Sequence, residues 1–199
     1  MKVSNALTSF QSSQTMVETL AANKWMGFLR NKDLDTYRHC LRVANMSKKV
    51  AAVFQLAPHV SDNLITGCFL HDLGKIMIPS DVLLQKGSLD YKQWFLVRMH
   101  PQLGAELLEH MPNIDREIID VVRYHHERWD GNGYPEGLSR EQIPFLARIC
   151  AIIDAFDCMI SNQPYRGAMS AEEAKNELIR NSGTQFDSRL VPPILDCLK

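Results

Sequence analysis

The chain has 199 residues, 45% hydrophobic and 23% charged, which is enough apolar side chain for one sizeable core and too much for a disordered chain. Its 22 basic and 23 acidic residues leave a formal charge of -1, which argues against a broad face for a nucleic-acid polymer or an anionic membrane. No apolar run approaches the roughly 18 residues of a membrane span. The start MKVSNALTSFQSSQTM has no apolar signal-peptide core, and the five cysteines form no CxxC pair, so the expected setting is reduced and cytoplasmic.

Residues 1–12 are polar and read as loose. Apolar residues then recur at helical spacing, and the pattern predicts helices over 13–30, 34–56, 60–72, 89–110, 114–127, 140–161, 170–181 and 187–198. No stretch alternates like a strand. Met16, Leu20, Trp25, Met26 and Leu29 form an apolar stripe on the first helix, read as sealing the core in preference to forming a homodimer. Ser61 and Asp62 are expected to cap the third helix, and Ser170 with Glu173 fits a capping box. Two Gly- and Pro-bearing segments, LGKIMIPSDVLLQKGSLD and RWDGNGYPEGLSREQIP, read as loops. The fold class is all-α: a single compact helical bundle with functional loops.

Ionisable residues fall where apolar ones would serve packing better. His71 and Asp72 end the run LITGCFL, and Asp154 and Asp157 interrupt ICAIIDAFDCMI. A buried carboxylate without a partner costs several kcal/mol, so each needs a cation, a proton or hydrogen bonds. His39, His100 and the tandem pair His125 and His126 also lie in or beside apolar-periodic helices. Any one of them could be a satisfied core histidine, but a His-Asp dyad, a His-His dyad and a buried Asp together point to a metal centre. Imidazole nitrogens and carboxylate oxygens suit Fe, Mn, Zn or Ni, and an Asp can bridge two ions. His59 and His110 lack ligand-like neighbours and read as bystanders.

The segments HDLGKIMIP, His100-Pro101, HHERWDGNGYP, IPFLARICAIIDAFDCM and NQPYRGAMS resemble an HD-GYP domain, a bacterial branch of the HD metal-dependent phosphohydrolase superfamily. The resemblance runs from about residue 33 to 190 and divides the chain into an N-terminal segment with its leading helix, 1–32, and an HD-GYP domain, 33–199. It implies hydrolysis of cyclic di-GMP to linear pGpG, and on to GMP, by two or three divalent ions. Fe or Mn is favoured, with Zn, Ni and Mg as further candidates. By the same resemblance one ion is held by His39, His71, Asp72 and Asp154, and a second by His100, His125 and His126 with Asp72 bridging. Asp72 and Lys75 then carry the chemistry, the lysine touching the scissile phosphate. Asp35 is either the ligand of a third ion or a solvated residue at a helix start.

Tyr134, within the Gly131–Pro135 turn, either stacks on a guanine or staples the loop. Glu127 and Asp130 are expected to orient ligand histidines, and Asp157 to lie near the substrate. Gln163 stands where the family usually has an arginine on the substrate, and Arg166 keeps the next basic position. Gln brings neither the charge nor the bidentate fork, so weaker binding or altered base preference is expected. Competing readings are a phosphodiesterase for 3′,3′-cyclic GMP-AMP, a weakly active or non-catalytic cyclic-dinucleotide-binding module, and another nucleotide phosphohydrolase. No sensor or receiver domain is visible, so the domain either stands alone or takes its regulation from a protein partner through the GYP loop.

Overall fold

Prolines and short polar side chains set the helix starts. The computed structural model describes residues 21–161 and 167–198. Its helices are α1 (Ala21–Lys32), α2 (Leu34–Val53), α3 (Pro58–Leu70), α4 (Ser80–Leu83), α5 (Tyr91–Arg98), α6 (His100–Glu109), α7 (Arg116–Tyr124), α8 (Phe145–Ile160), α9 (Ala171–Arg180) and α10 (Val191–Cys197). Two 3-10 turns, Leu73–Met77 and Arg140–Gln142, lie between them. Among the described residues the only β pairing is a single bridge between Ser182 and Phe186. The bundle is all-α, as its periodicity predicts.

Several boundaries differ from the sequence reading, and proline explains most of them. Ser61 and Asp62 do not cap α3, because Pro58 occupies its first turn after Ala57. Proline has a preset φ and no N–H to leave unsatisfied there. The expected helix over 89–110 is two helices, because Pro101 cannot donate to the carbonyl of Val97 and its ring crowds that carbonyl. Pro144 delays α8 to Phe145 by holding Ile143 extended, and α10 begins only at Val191, with prolines in its first turn. The expected loop over 73–90 contains a 3-10 turn and α4. The capping box of Ser170 and Glu173 forms as expected. Met16 and Leu20 lie outside the described residues.

Two apolar clusters make the core. One surrounds α8, where Ile149, Ile152, Ile153 and Phe156 meet Val50, Leu64, Leu178 and Ile194. The other joins Met26 and Leu29 of α1 to Ala44, Leu70, Leu73, Leu108 and Val122. Helices α2, α3 and α7 feed both clusters, and these helices also carry or precede most of the histidines and aspartates singled out above. The turn after His71-Asp72 is pressed against α6. A methyl group at Gly74 would lie 2.0 Å from the His100 carbonyl oxygen, so only glycine permits this approach.

Candidate metal centre

Helix ends position three of the histidines. The last four carbonyls of a helix have no helical partner, and each histidine takes one three residues back. His71 Nδ1 donates to Cys68 O at 2.8 Å, His100 Nδ1 to Val97 O at 2.7 Å, and His125 Nδ1 to Val122 O at 2.9 Å. Val97 O is the carbonyl that Pro101 cannot serve, so the proline that breaks the helix also leaves an acceptor for the ring. His39 lies within α2 and uses a carboxylate instead, its Nδ1 donating to Asp157 Oδ2 at 2.7 Å. Asp157 in turn receives both Nε and Nη2 of Arg42 at 2.8 Å.

These bonds place a proton on Nδ1, so in the neutral ring each Nε2 presents a lone pair. The four lone pairs converge in two pairs. His39 Nε2 and His71 Nε2 are 3.2 Å apart, and His100 Nε2 and His125 Nε2 are also 3.2 Å apart. Two lone pairs at that distance repel unless a cation or a proton lies between them. Carboxylates complete the cluster: Asp154 Oδ1 is 2.9 Å from His39 Nε2 and 3.8 Å from His71 Nε2. Asp72 points Oδ1 at His100 Nε2 (3.2 Å) and Oδ2 at His71 Nε2 (3.5 Å). One carboxylate therefore faces both histidine pairs, as a bridging ligand must. His126 joins His100 and His125 in a third-corner position. The donor set fits divalent ions.

Electrostatics separates the two halves. Burial alone would depress the His39 pKa, but its bonds to Asp154 and Asp157 outweigh that and raise it to about 9. Burial holds His71 and His125 below the ordinary imidazole range, and burial with the neighbouring His100 pushes His126 down to about 3. Burial works against ionised Asp72 and Asp154, yet Lys75, His71 and His100 keep the first carboxyl, and His39, His71 and His126 the second, well below the usual range. Burial likewise opposes the Lys75 charge, and Asp72 at 2.7 Å outweighs it, so the lysine stays cationic.

The GYP loop covers the second half. Tyr134 stacks on His126 with ring centroids 4.8 Å apart, and the Arg98 guanidinium lies 4.3 Å from the Tyr134 centroid. Glu127 and Asp130 form no hydrogen bond with a ligand histidine among the described residues, contrary to the expectation for them. Glu127 Oε1 accepts the amides of Glu136 (2.7 Å) and Gly137 (3.0 Å), while Asp130 pairs with Arg128 and accepts the Asn132 amide. Both brace the turn by accepting its backbone N–H groups. The guanidinium groups of Arg148 and Arg189 both approach the Trp129 ring, and the buried Asp187 binds both arginines.

Asp35 does not join the cluster. Its side chain is 95% exposed and pairs with Arg38 at 3.6 Å. Asp157 sits behind His39, with its oxygens committed to His39, Arg42 and Ser161. Gln163 and Arg166 lie outside the described residues. Three features escaped the sequence reading. Arg42, three residues past His39, is one. Cys158, four past Asp154 and donating to Asp154 Oδ1 at 3.4 Å, is another. The third is the aromatic series Tyr91, Trp94 and Phe95 on α5, which helps line a cleft of about 890 Å³ reaching His125, His126 and Asp154.

Fold and site together define a helical domain built around a histidine–aspartate metal-binding cluster. The model of the HD domain family matches residues 15–190, and the chain belongs to that family, in the HD-GYP branch marked by HHERWDGNGYP. It is 37% identical to a cyclic di-GMP phosphodiesterase of Pseudomonas aeruginosa, over 81% of this chain and 39% of that protein. It is 29% identical to a 3′3′-cGAMP-specific phosphodiesterase of Vibrio cholerae, over 94% of this chain and 37% of that protein. The chain thus spans well under half the length of these curated relatives. Among solved structures, an HD-GYP protein of Bdellovibrio bacteriovorus shares the fold, with TM-score 0.67, 23% identity, and coverage of 81% of this chain and 52% of that one. No helix among the described residues is long and apolar enough to cross a membrane.

Proposed function

We propose that the chain is a metal-dependent phosphodiesterase that hydrolyses cyclic di-GMP to linear pGpG. The observation that carries this reading is the convergence of imidazole lone pairs and two ionised carboxylates in one cluster, split by Asp72 into two halves. His39, His71, Asp72 and Asp154 would hold one ion, and His100, His125 and His126 with Asp72 the other. Bound divalent ions supply Lewis-acid chemistry: a hydrolytic nucleophile near neutral pH and neutralisation of charge growing on the phosphoryl oxygens. The protein's own part is to position. Lys75, cationic and anchored on Asp72, meets the scissile phosphate, and Asp157 with Arg42 fixes the His39 ring. The exposure of Asp35 favours two ions over three. Imidazole and carboxylate donors dominate the cluster, a set that suits Fe or Mn.

A second substrate, 3′,3′-cyclic GMP-AMP, is supported by the Vibrio cholerae relative that aligns over 94% of this chain. The test is anaerobic incubation of the Mn²⁺- or Fe²⁺-loaded protein with each cyclic dinucleotide, followed by product separation and metal counting. Linear product and two ions per chain, unchanged in Asp35→Ala and lost in Asp72→Ala, are expected. Tight binding without turnover would replace the enzyme with a sensor. Full activity in Asp72→Ala would remove the metal centre from the mechanism.

A further inference from the structure

Helix α5 breaks the usual pattern of burial. Tyr91, Trp94, Phe95 and Arg98 fall at i, i+3, i+4 and i+7 and so share one face of the helix. Such a stripe normally faces a core, yet α5 buries no residue, and its three aromatic residues are 87%, 52% and 60% exposed. All four residues line the cleft that reaches His125, His126 and Asp154. The stripe is tied to the metal cluster by two stacking steps, the His126 ring to the Tyr134 ring and that ring to the Arg98 guanidinium. Among the described residues no carboxylate pairs with Arg98.

We propose that this face of α5 is the base-recognition wall of the site. Trp94 and Phe95 stack on a purine of the cyclic dinucleotide whose scissile phosphate lies at the metal cluster, and Arg98 meets the second phosphate. This rests on the phosphodiesterase reading and adds to it the groups that select the substrate. The occupant follows from the continuity of the wall with the cluster and from its chemistry. Half-exposed flat rings beside one cation match a ligand that carries bases and a phosphate outside the reacting diester. Stacking accepts any base, because every base has a π-face. The wall therefore holds guanine and adenine alike and does not by itself separate cyclic di-GMP from 3′,3′-cyclic GMP-AMP.

The test compares Mn²⁺-loaded wild type, Trp94→Ala, Trp94→Tyr, Phe95→Ala and Arg98→Ala on cyclic di-GMP, 3′,3′-cyclic GMP-AMP and methyl p-nitrophenyl phosphate, a diester without a base. Trp94→Ala should raise KM about tenfold or more for both dinucleotides by the same factor. It should leave kcat and turnover of the small diester within about twofold, and Trp94→Tyr should restore most of the loss. Arg98→Ala should raise KM several-fold, with the difference shrinking at high salt. Unchanged dinucleotide KM in both alanine variants of the aromatic residues would overturn the wall while leaving the phosphodiesterase intact. If those variants instead dissociate a wild-type dimer, the face belongs to a second copy. If the wild type turns over neither dinucleotide, the phosphodiesterase reading fails, and direct binding of cyclic di-GMP that is equal in wild type and Trp94→Ala then overturns the wall as well.

Discussion

The two halves of the cluster are held by different means. In the half built on His39, side chains hold side chains: Asp157 grips the ring, and Arg42 grips Asp157. In the half built on His100 and His125, the backbone holds the rings through Val97 O and Val122 O, and Tyr134 packs on His126. His71 sits between them, with a backbone anchor but a lone pair aimed at His39. The acid–base character follows the scaffolding. Carboxylates around His39 raise its pKa to about 9, whereas burial among other imidazoles lowers His126 to about 3. Without an ion, a proton is held readily on His39, whereas burial opposes one on His125 or His126. An anchor that is itself charged can thus be removed by one substitution, while an anchor made of helix ends cannot.

The largest effect should come from the contact that joins the halves. Gly74→Ala would drive a methyl group to 2.0 Å from the His100 carbonyl oxygen and 2.6 Å from the Gly104 nitrogen, both backbone atoms that cannot turn aside. A cost of about 1–3 kcal/mol is expected from such overpacking, together with weaker binding of both ions as the turn retreats from α6. Denaturant unfolding with metal titration measures both, and an unchanged midpoint would show that the turn and α6 can part freely. Asp157→Ala sharpens the comparison. Loss of this ligand-orienting carboxylate should weaken one ion by about 10–100-fold, the range for such outer partners, and leave the other unchanged. Parallel loss of both ions would break the distinction between the halves.

Much of this arrangement was legible before the fold. The all-α class follows from periodicity, and the capping box from the spacing of Ser170 and Glu173. Charges set in apolar runs point to a His and Asp cluster, whose seven converging positions are picked out by the resemblance to HD-GYP domains. What stayed hidden depends on contacts between residues distant in sequence. Arg42 looks like any helical surface cation until Asp157 arrives from 115 positions away. Tyr91, Trp94 and Phe95 have the spacing of core residues, and periodicity places them on one helix with His100. Only the break at Pro101 separates α5 from α6, and α5 buries none of its residues. Glu127 and Asp130 sit beside the histidines in sequence, but their carboxylates accept amides of their own loop.

The backbone-held half has its own remote support, and this yields the smallest predicted effect. Asp187 accepts Arg148 Nη1 at 2.7 Å and Arg189 Nη2 at 2.8 Å, and both guanidinium groups approach the ring of Trp129 at the start of the GYP loop. The Trp129 and Asp130 amides also donate to Gln185 O and Thr184 O, so the segment before α10 clamps that loop. Burial works against the Asp187 charge, but the Arg189 and Arg148 bonds outweigh it and hold its pKa below the usual carboxylate range. A carboxyl whose folded pKa is depressed stabilises the fold above its unfolded pKa, and that contribution is lost as pH falls through the folded value. Asp187→Asn should therefore lower Tm near neutral pH by about 2–4 °C for each kcal/mol lost in a chain of this size. The gap between variant and wild type should narrow as pH falls below the ordinary carboxylate range and through the depressed folded pKa of Asp187. Ion binding by the His39 half should be unaffected throughout. A gap that stays constant with pH would mean that the clamp works through packing on Trp129 rather than through the Asp187 charge.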